Sequence, residues 1–276
     1  MKKSIFLIVV LSISSLLLAQ RRTAPPSAAV AGARVSQDAA ANAPDTTTCS
    51  FAYSSGTGVN RTDYCLSVNG NIVQFSRPAG NEYIAVGTID EGYGICDITG
   101  GSVRYSDYAW TATPNWGATS VFFPNAATAK FIRTTTDGIW TLTQTITRVN
   151  ASGTGPGAAK VSMAIKNNSV AREIFVVRHA DVDAGGVLSN NFDQSQDAAF
   201  GNQNFFDGLA LTDNTFAFPD HYAATWNIFS GPDPCNFNVN RLSAPATGVD
   251  GSIGHLWHLV VPAGATKTLV STYKPY

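Results

Sequence analysis

The chain has 276 residues, a formal net charge of −1 and only 13% charged residues, against the ~25% usual in soluble domains. It carries no cluster of Lys or Arg to neutralise phosphates, which argues against nucleic acid as a partner. Gly, Thr, Asn and Ser fill the places that charge would take, as in a β-protein whose outer faces carry hydroxyls and amides.

The first residues, MKKSIFLIVVLSISSLLLAQ, place Lys2 and Lys3 ahead of an apolar stretch from Ile5 to Leu18 that ends at Ala19. This order predicts a signal peptide over 1–19. The apolar stretch is short of the roughly 20 residues that span a bilayer, and no Cys follows Ala19 to accept a lipid. A secreted or periplasmic protein is expected, with no membrane span once the leader is cleaved. Residues 20–47 are rich in Ala, Pro and Ser and lack aromatics, so they bury too little to offset their ordering entropy and read as a disordered linker.

From Thr48 short alternating apolar runs recur between turn residues, the spacing of a sandwich or barrel. Asp63 to Phe75 reads as two strands around Asn69-Gly70, expected to form a type I′ turn. Tyr83 to Ile89 is a further strand candidate. Lys130 to Val149 gives two strands around Asp137-Gly138, and Lys160 to Asp183 two more around Asn167-Asn168-Ser169. Leu209 to Phe218 reads as a hairpin around Asp213-Asn214, and His255 to Tyr273 as a closing hairpin around Pro262-Ala263-Gly264. Side chains alternate sides along a strand, so Trp140, Leu142, Gln144 and Ile146 share a core-facing side opposite Thr141, Thr143, Thr145 and Thr147. Strands never alternate with helices, which excludes a parallel α/β sheet. The expected fold class is all-β, a single antiparallel β-sandwich over 48–276.

The four cysteines, Cys49, Cys65, Cys96 and Cys235, are an even set in a chain read as exported, which favours disulfides. Of the three possible connectivities, Cys49–Cys65 with Cys96–Cys235 is preferred, the first pair stapling the N-terminal strand. No Cys or His pair has the spacing of a zinc site. His255 and His258, three apart on a strand, point to opposite faces and cannot share an ion.

Two constellations can carry chemistry. If the strand from Ile174 continues, His179, Asp181 and Asp183 point to one side, and Asn190, Asn191 and Asp193 follow a Gly185-Gly186 turn. The oxygens of Asp181, Asp183, Asn191 and Asp193 suit Ca²⁺, the one cofactor the sequence suggests. Alternatively His179, Asp181 and Asp183 serve as acid and base on a sugar, or the strand simply surfaces there. The second constellation is aromatic: Tyr93, Tyr105, Tyr108, Trp110 and Trp116 lie in a polar segment and can form a platform for sugar rings, or fill the core.

The strand ending TQTITRV, the hairpin VSMAIKNNSVAREIFVVRHADVD and the closing LVVPAGATKTLVSTY together resemble the β-supersandwich of galactose-mutarotase-like domains, found in exported carbohydrate-active proteins. The mature domain also resembles uncharacterised secreted bacterial proteins in which an NGN hairpin precedes EGY-x-x-C, here Asn69 to Asn71 and Glu91 to Cys96. The resemblance implies a supersandwich. It implies no mutarotase activity, because no His–Glu pair stands in a matching context. The leading functional expectation is a secreted sandwich that binds extracellular glycan or a cell-surface protein. The alternatives are a carbohydrate-active lyase, epimerase or hydrolase using His179, Asp181 and Asp183, and a purely structural extracellular protein.

Overall fold

The computed structural model describes residues 47–276 except 86, 154, 205–206, 216–220 and 228–230. The expected signal peptide at 1–19 and all of the expected linker before residue 47 lie outside the described residues. The strands in chain order are β1 (Phe51–Ser55), β2 (Thr62–Leu66), β3 (Ile72–Ser76), β4 (Glu91–Asp97), β5 (Val103–Tyr108), β6 (Thr111–Ala112), β7 (Ser120–Asn125), β8 (Thr128–Thr134) and β9 (Trp140–Val149). They continue as β10 (Ala158–Asn167), β11 (Arg172–Asp181), β12 (Asn190–Gln194), β13 (Ala198–Asn204), β14 (Asp207–Asp213), β15 (His221–Trp226), β16 (Ala246–Val249), β17 (Ser252–Val261) and β18 (Thr266–Pro275).

A nine-stranded sheet, β16-β12-β13-β14-β18-β10-β9-β8-β7, packs on a six-stranded sheet, β15-β17-β11-β4-β5-β6, while β1-β2-β3 form a small third sheet. Every pairing between these strands is antiparallel. The all-β antiparallel sandwich read from the alternation is therefore the observed fold. Its main core lies between the two large sheets, with Trp140, Leu142 and Ile146 of β9 facing Val176 of β11 and Trp257 of β17 across the interior. The face of β9 that carries Thr141, Thr143 and Thr145 is only half-buried.

Two connections differ from the expected hairpins, while most of the second strand expected around Asp213-Asn214 lies outside the described residues. The turns at Asn167 and at Pro262 carry the chain from one sheet to the other, because β10 and β18 belong to the nine-stranded sheet while β11 and β17 belong to the six-stranded one. The Asn167 and Pro262 crossings run side by side, since β10 pairs with β18 and β11 with β17. Asn167 ties them together: its Nδ2 donates to the carbonyl of Val261 at 2.9 Å, and its backbone N–H donates to that of Ala265 at 2.9 Å. Alternation every second residue is the same whether the next strand lies beside its predecessor or opposite it, so the pattern does not separate a hairpin from a crossing.

Two local expectations also change. Residues 83–85 and 87–88 bend rather than form a strand, because the Glu82 carboxylate accepts the backbone N–H groups of Phe75, Ile84 and Ala85 at 2.6–3.1 Å and turns the chain. The β2–β3 turn is not type I′, since Gly70 takes a left-handed φ of 88° and Asn69 does not. Ser67 closes it instead, accepting the Gly70 N–H at 3.2 Å and donating its own to Asn71 at 2.9 Å.

Both disulfides form in the preferred pairing. Cys49–Cys65 staples the chain to β2, and Cys96–Cys235 links residues 139 apart in sequence. Such bonds belong with an oxidising compartment outside the cytoplasm. Among the described residues no helix is long and apolar enough to cross a membrane.

Candidate functional site

Neighbouring residues of β11 point to opposite faces of the six-stranded sheet, and the chemistry divides accordingly. Arg178 points inward. Its guanidinium donates to the Glu91 carboxylate, to Gln144 Oε1 at 2.6 Å and to the Tyr273 hydroxyl at 3.1 Å. Tyr273 in turn donates to Glu91 Oε1 at 2.6 Å, and the Ile72 N–H donates to Glu91 Oε2 at 2.5 Å. A second inward carboxylate, Asp107, accepts from Arg133, and from Asn71 at 2.9 Å and Asn69 at 3.3 Å. Asn71 Nδ2 also donates to the Glu91 carbonyl at 2.8 Å, so the NGN turn and the EGY segment meet in space. Asp97 and Asp213 each accept a tryptophan indole N–H from the opposing sheet, from Trp140 at 3.1 Å and Trp257 at 2.9 Å. These fully partnered charges join the two sheets.

His179, Asp181 and Asp183 point outward, and their surroundings are different. All three are buried, yet both ring nitrogens of His179, Oδ1 of Asp181 and both carboxylate oxygens of Asp183 have no hydrogen-bond partner. Burial, and secondarily the charge of Arg178, lowers the His179 pKa to about 3, so the ring is neutral. Its Nδ1 lies 3.6 Å from Asp90 Oδ1, and its ring packs edge-on against Tyr108 and Trp226. Further along, oxygens of Asp181, Asp183 and Asp250 lie within 4.8 Å of one another. Burial, then repulsion from Asp183, Asp250 and Asp90, pushes Asp181 up to about 9. Burial and Asp250 push Asp183 up to about 7, and burial raises Asp250 as well.

Three backbone hydrogen bonds fix this cluster. Asp181 N–H donates to the Asp90 carbonyl at 2.8 Å, Asp183 N–H to that of Tyr83 at 2.8 Å, and Val182 N–H to that of Gly251 at 3.2 Å. The strand end is thereby held to the bend before β4 and to the turn before β17. Residues 231–242 cover the same outer face nearby. They are pinned by the Cys96–Cys235 disulfide, by the Arg104–Asp233 ion pair at 2.6 Å, by the Tyr108 hydroxyl donating to the Pro232 carbonyl at 2.8 Å, and by the Gly231 N–H donating to Asp90 Oδ2 at 2.9 Å. Gly94 makes room for this cover, since a Cβ there would stand 2.2 Å from the Tyr108 hydroxyl oxygen and 3.1 Å from Pro234.

The structure brings His179, Asp181 and Asp183 to one face, as their spacing predicts, but under cover rather than in an open cleft. Asn191 and Asp193 are not part of the cluster. Asn191 Nδ2 donates to the Gln203 carbonyl at 3.4 Å, and Asp193 is exposed and accepts the Gln194 N–H at 2.8 Å. In their place stands Asp250, with Asp90 close by, and neither is marked in the sequence by more than its place in a turn.

The expected aromatic platform is corrected as well. Tyr93, Tyr105, Tyr108 and Trp116 are buried, and only Trp110, 60% exposed, reaches solvent. Tyr93 and Tyr105 sit at inward positions of β4 and β5 and pack edge-on against Trp116, with centroids 5.4 Å and 6.2 Å away, while Tyr108 lies beneath the 231–242 cover. His255 and His258 point to opposite faces, as expected: His255 Nε2 meets the Asp197 carbonyl at 3.2 Å, and His258 meets Glu173 at 2.7 Å.

No protein-family model and no curated protein sequence matches the chain. Among solved structures, a bacterial glucoamylase complexed with acarbose aligns with a TM-score of 0.55 at 12% identity, over 88% of this chain and 35% of that one. A mutant heparan sulfate lyase from Pedobacter heparinus aligns with a TM-score of 0.46 at 10% identity, over 85% of this chain and 35% of that one. A galactose mutarotase related enzyme from Lactobacillus acidophilus aligns with a TM-score of 0.41 at 8% identity, over 82% and 97%. The chain thus spans about a third of the glucoamylase, and what it shares with that enzyme is the fold.

Proposed function

We propose that this chain is an exported, carbohydrate-associated β-sandwich protein that binds glycan without transforming it. The observation that carries this reading is the two-sheet sandwich itself, shared with the glucoamylase over 88% of the chain. Export is supported by the leader-like residues 1–19 and by two disulfides. Burial of His179, Asp181 and Asp183 speaks against sugar chemistry there, since a general acid must come within hydrogen-bond reach of its substrate. Sugar rings stack on exposed aromatic faces, and among the described residues the exposed aromatic side chains are Trp110 and Phe122, at 60% and 46%. They lie in or beside the edge strands β6 and β7, which the segment 113–119 joins on one side of the sandwich. Phe122 also lines an open groove of about 450 Å³ with Phe123, Pro124, Lys130 and Ile132. Glycan-array binding of the mature chain should fall about tenfold or more in Trp110→Ala or Phe122→Ala. Unchanged binding in both variants, or none in the wild type, overturns the reading.

A further inference from the structure

We propose that Asp181, Asp183 and Asp250 form a Ca²⁺ site, with the side-chain carbonyl of Asn190 as a further ligand. Acidic side chains gathered in the interior are costly unless something pairs with them. Elsewhere in this molecule that cost is met: Glu91, Asp97, Asp107 and Asp213 each accept hydrogen bonds from the protein. Asp183 is the opposite case. It is fully buried, its backbone N–H is already bonded to Tyr83, and neither carboxylate oxygen has a partner although Asp181 and Asp250 stand within 4.8 Å.

Asn190 supplies a second, independent observation. It is 1% exposed, and its Nδ2 donates to the carbonyls of Val182 at 3.1 Å and Val187 at 2.6 Å, which fixes the amide beside the backbone that joins Asp181 to Asp183. Its Oδ1 has no partner. The β12–β16 pairing sets Asn190 opposite Val249, the residue before Asp250, while its amide is bonded to the backbone of Val182, between Asp181 and Asp183.

The donor set selects the ion. Every ligand is oxygen, which suits a hard cation. Oxygens on one Ca²⁺ stand up to about 5 Å apart, twice a bond of roughly 2.3–2.6 Å, whereas those on Mg²⁺ stand no more than about 4.2 Å apart. The three carboxylates, with one oxygen each within 4.8 Å of the others, meet the first limit without adjustment. Asp250 is only half-buried, which leaves a way in for the ion and for water ligands. Bound there, Ca²⁺ draws the β11 end, the turn before β17 and the start of β12 onto one centre.

The test is calorimetric titration of the chelator-stripped protein with CaCl2, paired with thermal denaturation in Ca²⁺ and in chelator. Expected are one Ca²⁺ per chain, a higher midpoint in Ca²⁺, and binding of Mg²⁺ at least about tenfold weaker. Asp183→Asn should weaken Ca²⁺ binding by at least about tenfold while remaining folded, because it removes a repulsive charge. Asp193→Asn, on the exposed face of β12, should bind as the wild type does. No heat and no midpoint shift in the wild type, or equal affinity in the two variants, overturns the site. If the wild type ignores Ca²⁺ while Asp183→Asn gains stability at neutral pH, the carboxylates instead share protons, and the proposal fails.

Discussion

Arg178 and His179 are adjacent in sequence and face opposite sides of one strand, and each is buried with a carboxylate beside it. On the inner side the charges of Arg178 and Glu91 are met, and with Gln144 and Tyr273 they close a network across the two sheets. On the outer side the atoms are as deeply buried but unmet, from His179 through Asp181 to Asp183. Burial alone therefore does not separate structural charge from charge that awaits a ligand. Satisfaction of hydrogen bonds does.

The comparison breaks most visibly on the inner side. Arg178→Met strands the Glu91 carboxylate in the core and should cost about 3–5 kcal/mol, read from urea denaturation, whereas replacing Arg178 and Glu91 together with apolar residues should recover most of that loss. On the outer side the same kind of charge removal, Asp183→Asn, should relieve the apo protein rather than harm it. The next effect lies in the cover. Replacing Cys96 and Cys235 by Ala opens a 139-residue link and should cost about 2–5 kcal/mol, with proteolysis reaching residues 231–242 before the sheets. If the cover stays resistant, its hydrogen bonds rather than the disulfide hold it.

The smallest effect sharpens the contrast through a histidine on the inner side. Burial lowers His255 to about 4 from its ordinary 6.5. The unfolded chain then binds a proton that the native one refuses, so stability is lost as pH falls from about 6.5 towards 4. Midpoints of His255→Gln measured across that range should fall less steeply than those of the wild type. Parallel curves would remove His255 from the acid response.

Much of the architecture was legible because alternation and turn residues are local signals. The strands on either side of Asp137-Gly138 and both disulfide pairings appear as read. What lies across the sandwich was not legible. Asn167 reads as a hairpin residue, yet it clamps two crossings, because nothing in a period of two says which sheet receives the next strand. For the site, His179, Asp181 and Asp183 could be placed on one face by parity alone, but Asp250 joins them from the turn before β17, and only the folded chain brings it there. The aromatic segment misled through its polar neighbours: Tyr93 and Tyr105 sit at inward positions of strands whose outer positions include Gly92, Gly94, Arg104 and Ser106.

The Cys96–Cys235 bond also sets an order of events. A chain emerges from its N-terminus, so the thiol of Cys96 is available long before its partner, while Cys65 follows Cys49 after only 16 residues. The short link can close early, and Cys96 must then remain reduced, or trade a mistaken partner by thiol exchange, until the last sixth of the chain has arrived. The long bond therefore acts as a completion mark: a molecule that carries it has delivered β4, the cover and nearly all the intervening strands to the same place.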